Sequence, residues 1–67
     1  MPISGEEMLK RYMRSGWVVM HRKGSHVKVG YRNLRETIPL HKELARGLER
    51  KLQRRLERTG AGTGDAS

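Results

Sequence analysis

Cysteine is absent from the 67 residues, which excludes a disulfide scaffold and a thiolate metal site and suits a reducing interior. No apolar run approaches the length of a membrane span or a signal-peptide core, so a cytoplasmic chain without a membrane partner is expected. Negative charge is also scarce: seven Asp and Glu stand against fifteen Lys and Arg, for a net charge of +8 and a pI near 10.9. Such an excess implies an anionic partner, with nucleic acid first, an acidic protein second and an anionic membrane surface third. The three histidines lack nearby carboxylates at ligand spacing, so neither a metal nor another cofactor is expected.

Gly60 to Ser67 are small and polar and cannot pack, so the reading is one domain over 1–58 and a flexible C-terminal tail over 59–67. A folding unit of roughly 60 residues buries a modest share of its surface and is only marginally stable alone. A partner that covers part of it is therefore unsurprising.

Ser4-Gly5-Glu6-Glu7 has the spacing of a capping box, with Ser4 as N-cap and Glu7 reaching back. Met8, Leu9, Tyr12 and Met13 then recur at helical spacing as one apolar stripe, until Ser15-Gly16 stops the helix. Trp17 to Arg22 and Ser25 to Tyr31 are strand-like and are separated by Lys23-Gly24, which reads as a hairpin. A two-residue turn there pairs His21 with His26, Met20 with Val27, Val18 with Val29 and Trp17 with Gly30. One face then carries Val18, Met20, Val27, Val29 and Tyr31, and the other carries Trp17, Val19, His21, His26 and Lys28. A three-residue loop with Gly24 in a bulge would shift this register.

Arg32-Asn33 makes a second turn, and Leu34 to Ile38 a third strand closed by Pro39. Leu44, Leu48, Leu52 and Leu56 mark a helix from about Lys42 to Arg58, with Gly47 weakening its first turn and giving a later start near Gly47 as the alternative. Arg55 falls within the apolar sector and must snorkel, unless the helix has already passed the sheet. The order predicts a two-layer α+β domain, α-β-β-β-α, with both helices on one face of a three-stranded antiparallel sheet. It resembles the double-stranded RNA-binding-domain fold, and its other sheet face is open to solvent.

On that open face His26 is either an ordinary strand histidine or a functional imidazole, the side chain suited to proton transfer near neutrality. RNA carries its own nucleophile, the 2′-hydroxyl, so cleavage needs a base, an acid and cations on the phosphate. Arg22, Lys23 and Lys28 are the candidate phosphate clamp, with Gly24 and Ser25 shaping the turn. His21 is an auxiliary candidate as the complementary acid. Trp17 either packs beside Gly30 or offers its ring to a base. Ser25 has no acid placed to complete a hydrolytic triad and is read as a turn residue. His41, after Pro39, is read as finishing a strand.

These residues together resemble the HicA family of toxins: the capped helix, Gly16-Trp17 entering a strand, Lys23-Gly24-Ser25-His26 at the hairpin, Ile38-Pro39-Leu40-His41, and Gly47 opening the closing helix. The resemblance spans about residues 4 to 58. It implies the toxin of a type II toxin-antitoxin system, a metal-independent endoribonuclease (mRNA interferase) that cleaves mRNA and is neutralised by a HicB-like antitoxin. It also implies that His26, the histidine of the Gly-Ser-His motif, is catalytic. DNA binding by the chain itself is not expected. The chain departs from the family pattern at His21, where an arginine is usual, and at Gly47-Leu48-Glu49, where Gly-Thr-Leu is usual. The alternative is a non-catalytic RNA-binding module of the same fold. An interaction protein for an acidic partner is a third reading.

Overall fold

The computed structural model describes residues 2–59 and contains α1 (Gly5–Arg14), β1 (Val18–Lys23), β2 (His26–Tyr31), β3 (Leu34–Pro39) and α2 (Arg46–Thr59). The α-β-β-β-α order and the antiparallel sheet, ordered β1-β2-β3, are those expected. The residues from Gly60 onward, which carry most of the expected tail, lie outside the described residues.

Helix α1 starts where its cap is. Ser4 is extended, and its Oγ accepts from the Glu7 N–H at 3.0 Å. The Glu7 carboxylate pairs with Arg11 at 3.6 Å and Arg14 at 3.7 Å, so the expected reach back to Ser4 is replaced by two exposed ion pairs. At the other end Gly16 takes φ +100, a conformation an L side chain rarely adopts. Met8 and Tyr12 are fully buried and Leu9 packs at the margin of the core, whereas Met13 is 51% exposed and stands outside the stripe.

The core is one cluster between the helices and one sheet face: Met8 and Tyr12 from α1, Trp17, Val27, Val29, Ile38, Leu44, and Leu52 and Leu56 from α2. Helix α2 begins at Arg46, beside Gly47, rather than at Lys42; Leu44 is buried ahead of it, its N–H bonded to the Ile3 carbonyl at 2.9 Å. Two polar contacts tie the helices together: the Tyr12 hydroxyl donates to the Leu52 carbonyl at 2.8 Å, and Arg11 donates to Gln53 Oε1 at 3.1 Å. Burial, the nearby Glu36 carboxylate adding to it, pushes the Tyr12 phenol well above its ordinary value, with Arg55 acting in the opposite sense.

Arg55 does not simply snorkel. Glu36 lies opposite Val29 on the helix-covered face with only 11% of its side chain exposed, and Arg55 Nε meets its carboxylate at 2.8 Å. An acid on that face loses hydration, and the guanidinium of α2 replaces it. Lys51 stands further out at 3.9 Å.

The hairpin differs from its sequence reading. Lys23 pairs with His26, so the turn residues are Gly24-Ser25 rather than Lys23-Gly24, and Gly24 takes φ +58 at the first central position. Past His21 the register shifts again at a bulge, which sets Val19 opposite Val29 and Val18 opposite Gly30. His21 consequently faces Lys28 instead of His26. Val18 and Met20, expected in the core, are 57% and 49% exposed. Met20 and Arg35 instead fill the space over Gly30, where a Cβ would come within 3.1 Å of each. Trp17, expected opposite Gly30 on the open face, lies in the core, edge-on to Tyr12 at 4.8 Å and stacked on Tyr31 at 5.6 Å.

Candidate active site

Strand pairing fixes which side chains share the open face. His26 lies opposite Lys23 on β1 and Pro39 on β3, and Lys28 lies opposite His21 and Thr37. Alternation along β2 sends Val27 and Val29 into the core and leaves His26 and Lys28 on the solvent side. His21, Lys23, His26 and Lys28 are all exposed, so the hairpin presents two imidazoles and two ammonium groups on one surface. Arg22 does not join them. It pairs with Val27, on the opposite face of the edge strand, and is exposed there.

Just past the end of β3 lies His41, which reads in the sequence as finishing a strand rather than as part of the site. His41 is exposed, and its ring lies edge-to-face with that of His26 at 6.2 Å between centroids. Two backbone hydrogen bonds hold this geometry: the Leu40 N–H donates to the Ser25 carbonyl at 2.6 Å, and the Gly5 N–H donates to the His41 carbonyl at 2.8 Å. Ser25 therefore serves through its backbone, tying the hairpin turn to the chain that carries His41. Gly5 makes the same approach possible from α1, because a Cβ there would collide with the Pro39 carbonyl. Neither link has a local signature. The β2–β3 register, continued past Pro39 by the bond from Leu40 to Ser25, puts the two imidazoles side by side, and the Gly5 contact from α1 holds the far end of that segment.

Of the sequence-predicted site residues, the structure gathers Lys23, Gly24, Ser25, His26 and Lys28 at one end of the sheet, with His21 beside Lys28. It separates Arg22 and Trp17 from them. Among the described residues, no group of three or more His, Cys, Asp or Glu side chains comes together as a metal-ligand set. No described helix is long and apolar enough to cross a membrane. A cleft of about 460 Å³ at the Leu34 end of β3 is lined by Lys51, Arg54, Arg55 and Arg58 of α2, so positive charge also gathers away from the histidines.

A domain of this topology with an exposed histidine on a basic open face is the setting in which the family comparison falls. The model described as "HicA toxin of bacterial toxin-antitoxin" matches residues 5–61, and the chain belongs to that family. It is thus a toxin of a toxin-antitoxin system, a class that acts together with a cognate antitoxin. No curated protein and no solved structure matches the chain.

Proposed function

We propose that this toxin is an mRNA-cleaving endoribonuclease that works without a metal ion, with His26 as its catalytic residue. The observation that carries the reading is the placement of His26: it is exposed on the open face, opposite Lys23 and two residues from Lys28, in a chain of the HicA toxin family. HicA toxins are known in general as ribonucleases.

The chemistry asks little of the protein. The 2′-hydroxyl of RNA is a nucleophile adjacent to its own phosphate, so the enzyme has to move protons and stabilise charge. The His26 imidazole can take a proton in its neutral form or give one in its charged form. Lys23 and Lys28 supply cations for the phosphate, Lys23 directly across the ladder and Lys28 next on the same face. Gly24 and Ser25 make the tight turn that leaves the strand end open to a bulky polymer. His21, facing Lys28, is an auxiliary contact, and Arg22 meets RNA only where the strand wraps past the sheet edge. Trp17 contributes packing.

A HicB-like antitoxin is the proposed partner that silences the activity, and the cytoplasm, where mRNA is translated, is the proposed location. The basic surface suits an antitoxin that presents carboxylates to it.

Incubating the purified protein with labelled RNA in EDTA tests the reading. Cleavage that persists in EDTA is expected. RNA that is retarded in a gel yet remains intact would instead establish the RNA-binding module.

A further inference from the structure

From the edge-to-face placement of two exposed imidazoles on backbone tied together by hydrogen bonds, we infer that His41 is the second proton-transfer group of the site, paired with His26 at the scissile phosphate. The inference rests on the endoribonuclease reading and deepens it. The rings are 6.2 Å apart at their centroids. At this separation a phosphate seated over the pair, rather than between the rings, can accept a hydrogen bond of about 2.8 Å from each. Both histidines are exposed, so a polymer reaches them without any opening of the fold. Their positions are set by the backbone: Ser25, next to His26, is bonded to Leu40, next to His41, and His41 itself is bonded to Gly5. Such anchoring supplies the pre-organisation that proton transfer requires.

The paired step balances. One imidazole, neutral, removes the 2′-hydroxyl proton as the 2′-oxygen bonds to phosphorus. The other, protonated, gives its proton to the 5′-oxygen as the bond from phosphorus to that oxygen breaks. The products are a 2′,3′-cyclic phosphate and a 5′-hydroxyl, and the two imidazoles have exchanged protonation states, which solvent resets. Lys23 stands opposite His26 to meet the charge on the non-bridging oxygens. His21 is the less suitable partner, because it lies opposite Lys28, one pair further along the same face.

The test compares the wild type, His26→Ala and His41→Ala on ordinary RNA and on RNA with a 5′-bridging sulfur at the scissile phosphate, whose leaving group needs no proton. Each variant is expected to lose about 100-fold or more on ordinary RNA while binding RNA as the wild type does. One variant, and not the other, should regain its rate on the sulfur substrate, and free imidazole should partly restore His41→Ala. Wild-type cleavage by His41→Ala alongside an inactive His26→Ala would overturn the inference and leave the role of His26 standing. Rescue of both variants or of neither by sulfur would overturn it as well. Intact RNA with the wild type would instead defeat the endoribonuclease reading itself, and full activity of His26→Ala would overturn the role of His26 and with it the pairing. Circular dichroism of both variants separates these outcomes from misfolding, and His41→Gln repeats the test with a side chain of similar size.

Discussion

Gly5 stands against the Pro39 carbonyl so closely that any side chain at position 5 would collide with backbone, and its N–H holds the His41 carbonyl at 2.8 Å. The start of the first helix thus positions the chain that carries a site histidine. Gly5→Ala must push α1 away from β3, at a cost of about 1–3 kcal/mol for overpacking. Chemical denaturation should show that loss, and RNA cleavage should fall further than the loss of folded protein explains. Unchanged stability would mean that the close approach is not maintained in solution.

Glu36 and Arg55 form the second such tie, at 2.8 Å between β3 and α2. Arg55→Ala leaves a mostly buried carboxylate with only the more distant, exposed Lys51 and should destabilise by about 1–3 kcal/mol. The neighbouring Arg54, exposed on the same helix, should cost under about 0.5 kcal/mol when replaced by alanine. Adding Glu36→Gln to Arg55→Ala should recover part of the loss. Equal effects at positions 54 and 55 would contradict this account.

Tyr12 makes stability fall at alkaline pH. Its folded-state value is raised above the ordinary 10.0 by burial, so the folded state keeps a proton that the unfolded chain gives up. The stabilisation is complete below about pH 10 and declines as pH rises above it. Tyr12→Phe should lose about 0.5–1.5 kcal/mol at neutral pH with the bond to Leu52, and should flatten the alkaline decline. Urea melts at neutral and alkaline pH, compared between the two proteins, measure both effects.

Two glycines predict opposite signs. Gly24 has φ +58 with open space around it, so Gly24→Ala meets no clash and carries only the left-handed backbone penalty, about 1–2 kcal/mol. Gly47 also has open space but lies in the first turn of α2, where alanine should stabilise by roughly 0.5–1 kcal/mol. Thermal melts should move in opposite directions. A shared direction would contradict the turn geometry.

The element order was legible because its signals are local: the Ser4 cap, Gly16 at the helix end, and leucines recurring every four residues to Leu56. The hairpin register was not. Every residue of β1 is exposed, so no buried alternation pins an edge strand against slippage. Lys23-Gly24 and Gly24-Ser25 both read as turns, and the extra residue near Met20 leaves no mark in composition. Moving the turn by one residue changed the partner of His26 from His21 to Lys23 but kept all of them on the open face. Beyond the bulge the faces exchanged, which took Val18 out of the expected core. Trp17 went inward because Tyr12 and Tyr31 together form an aromatic site for it. His41 was missed for a different reason. Its neighbour in the site is fifteen residues away in sequence, brought close by the β2–β3 register continued past Pro39, where the strand pattern of the sequence already stops.

Lys23 and Lys28 should act on RNA affinity rather than on proton transfer. Alanine at either position should weaken binding across RNA sequences and reduce the salt dependence by about one phosphate contact. Arg22→Ala, on the other face, should change it less. Gel-shift titrations at several salt concentrations distinguish these cases.

The central claim concerns His26, and the most direct measurement is the RNA cleavage rate of His26→Ala beside the wild type in EDTA, with folding verified by thermal melts. His26 is exposed, so the variant should fold as the wild type does. The account predicts cleavage by the wild type and a loss of about 100-fold or more in the variant, with RNA binding retained. A folded His26→Ala protein that cleaves RNA at the wild-type rate would contradict it.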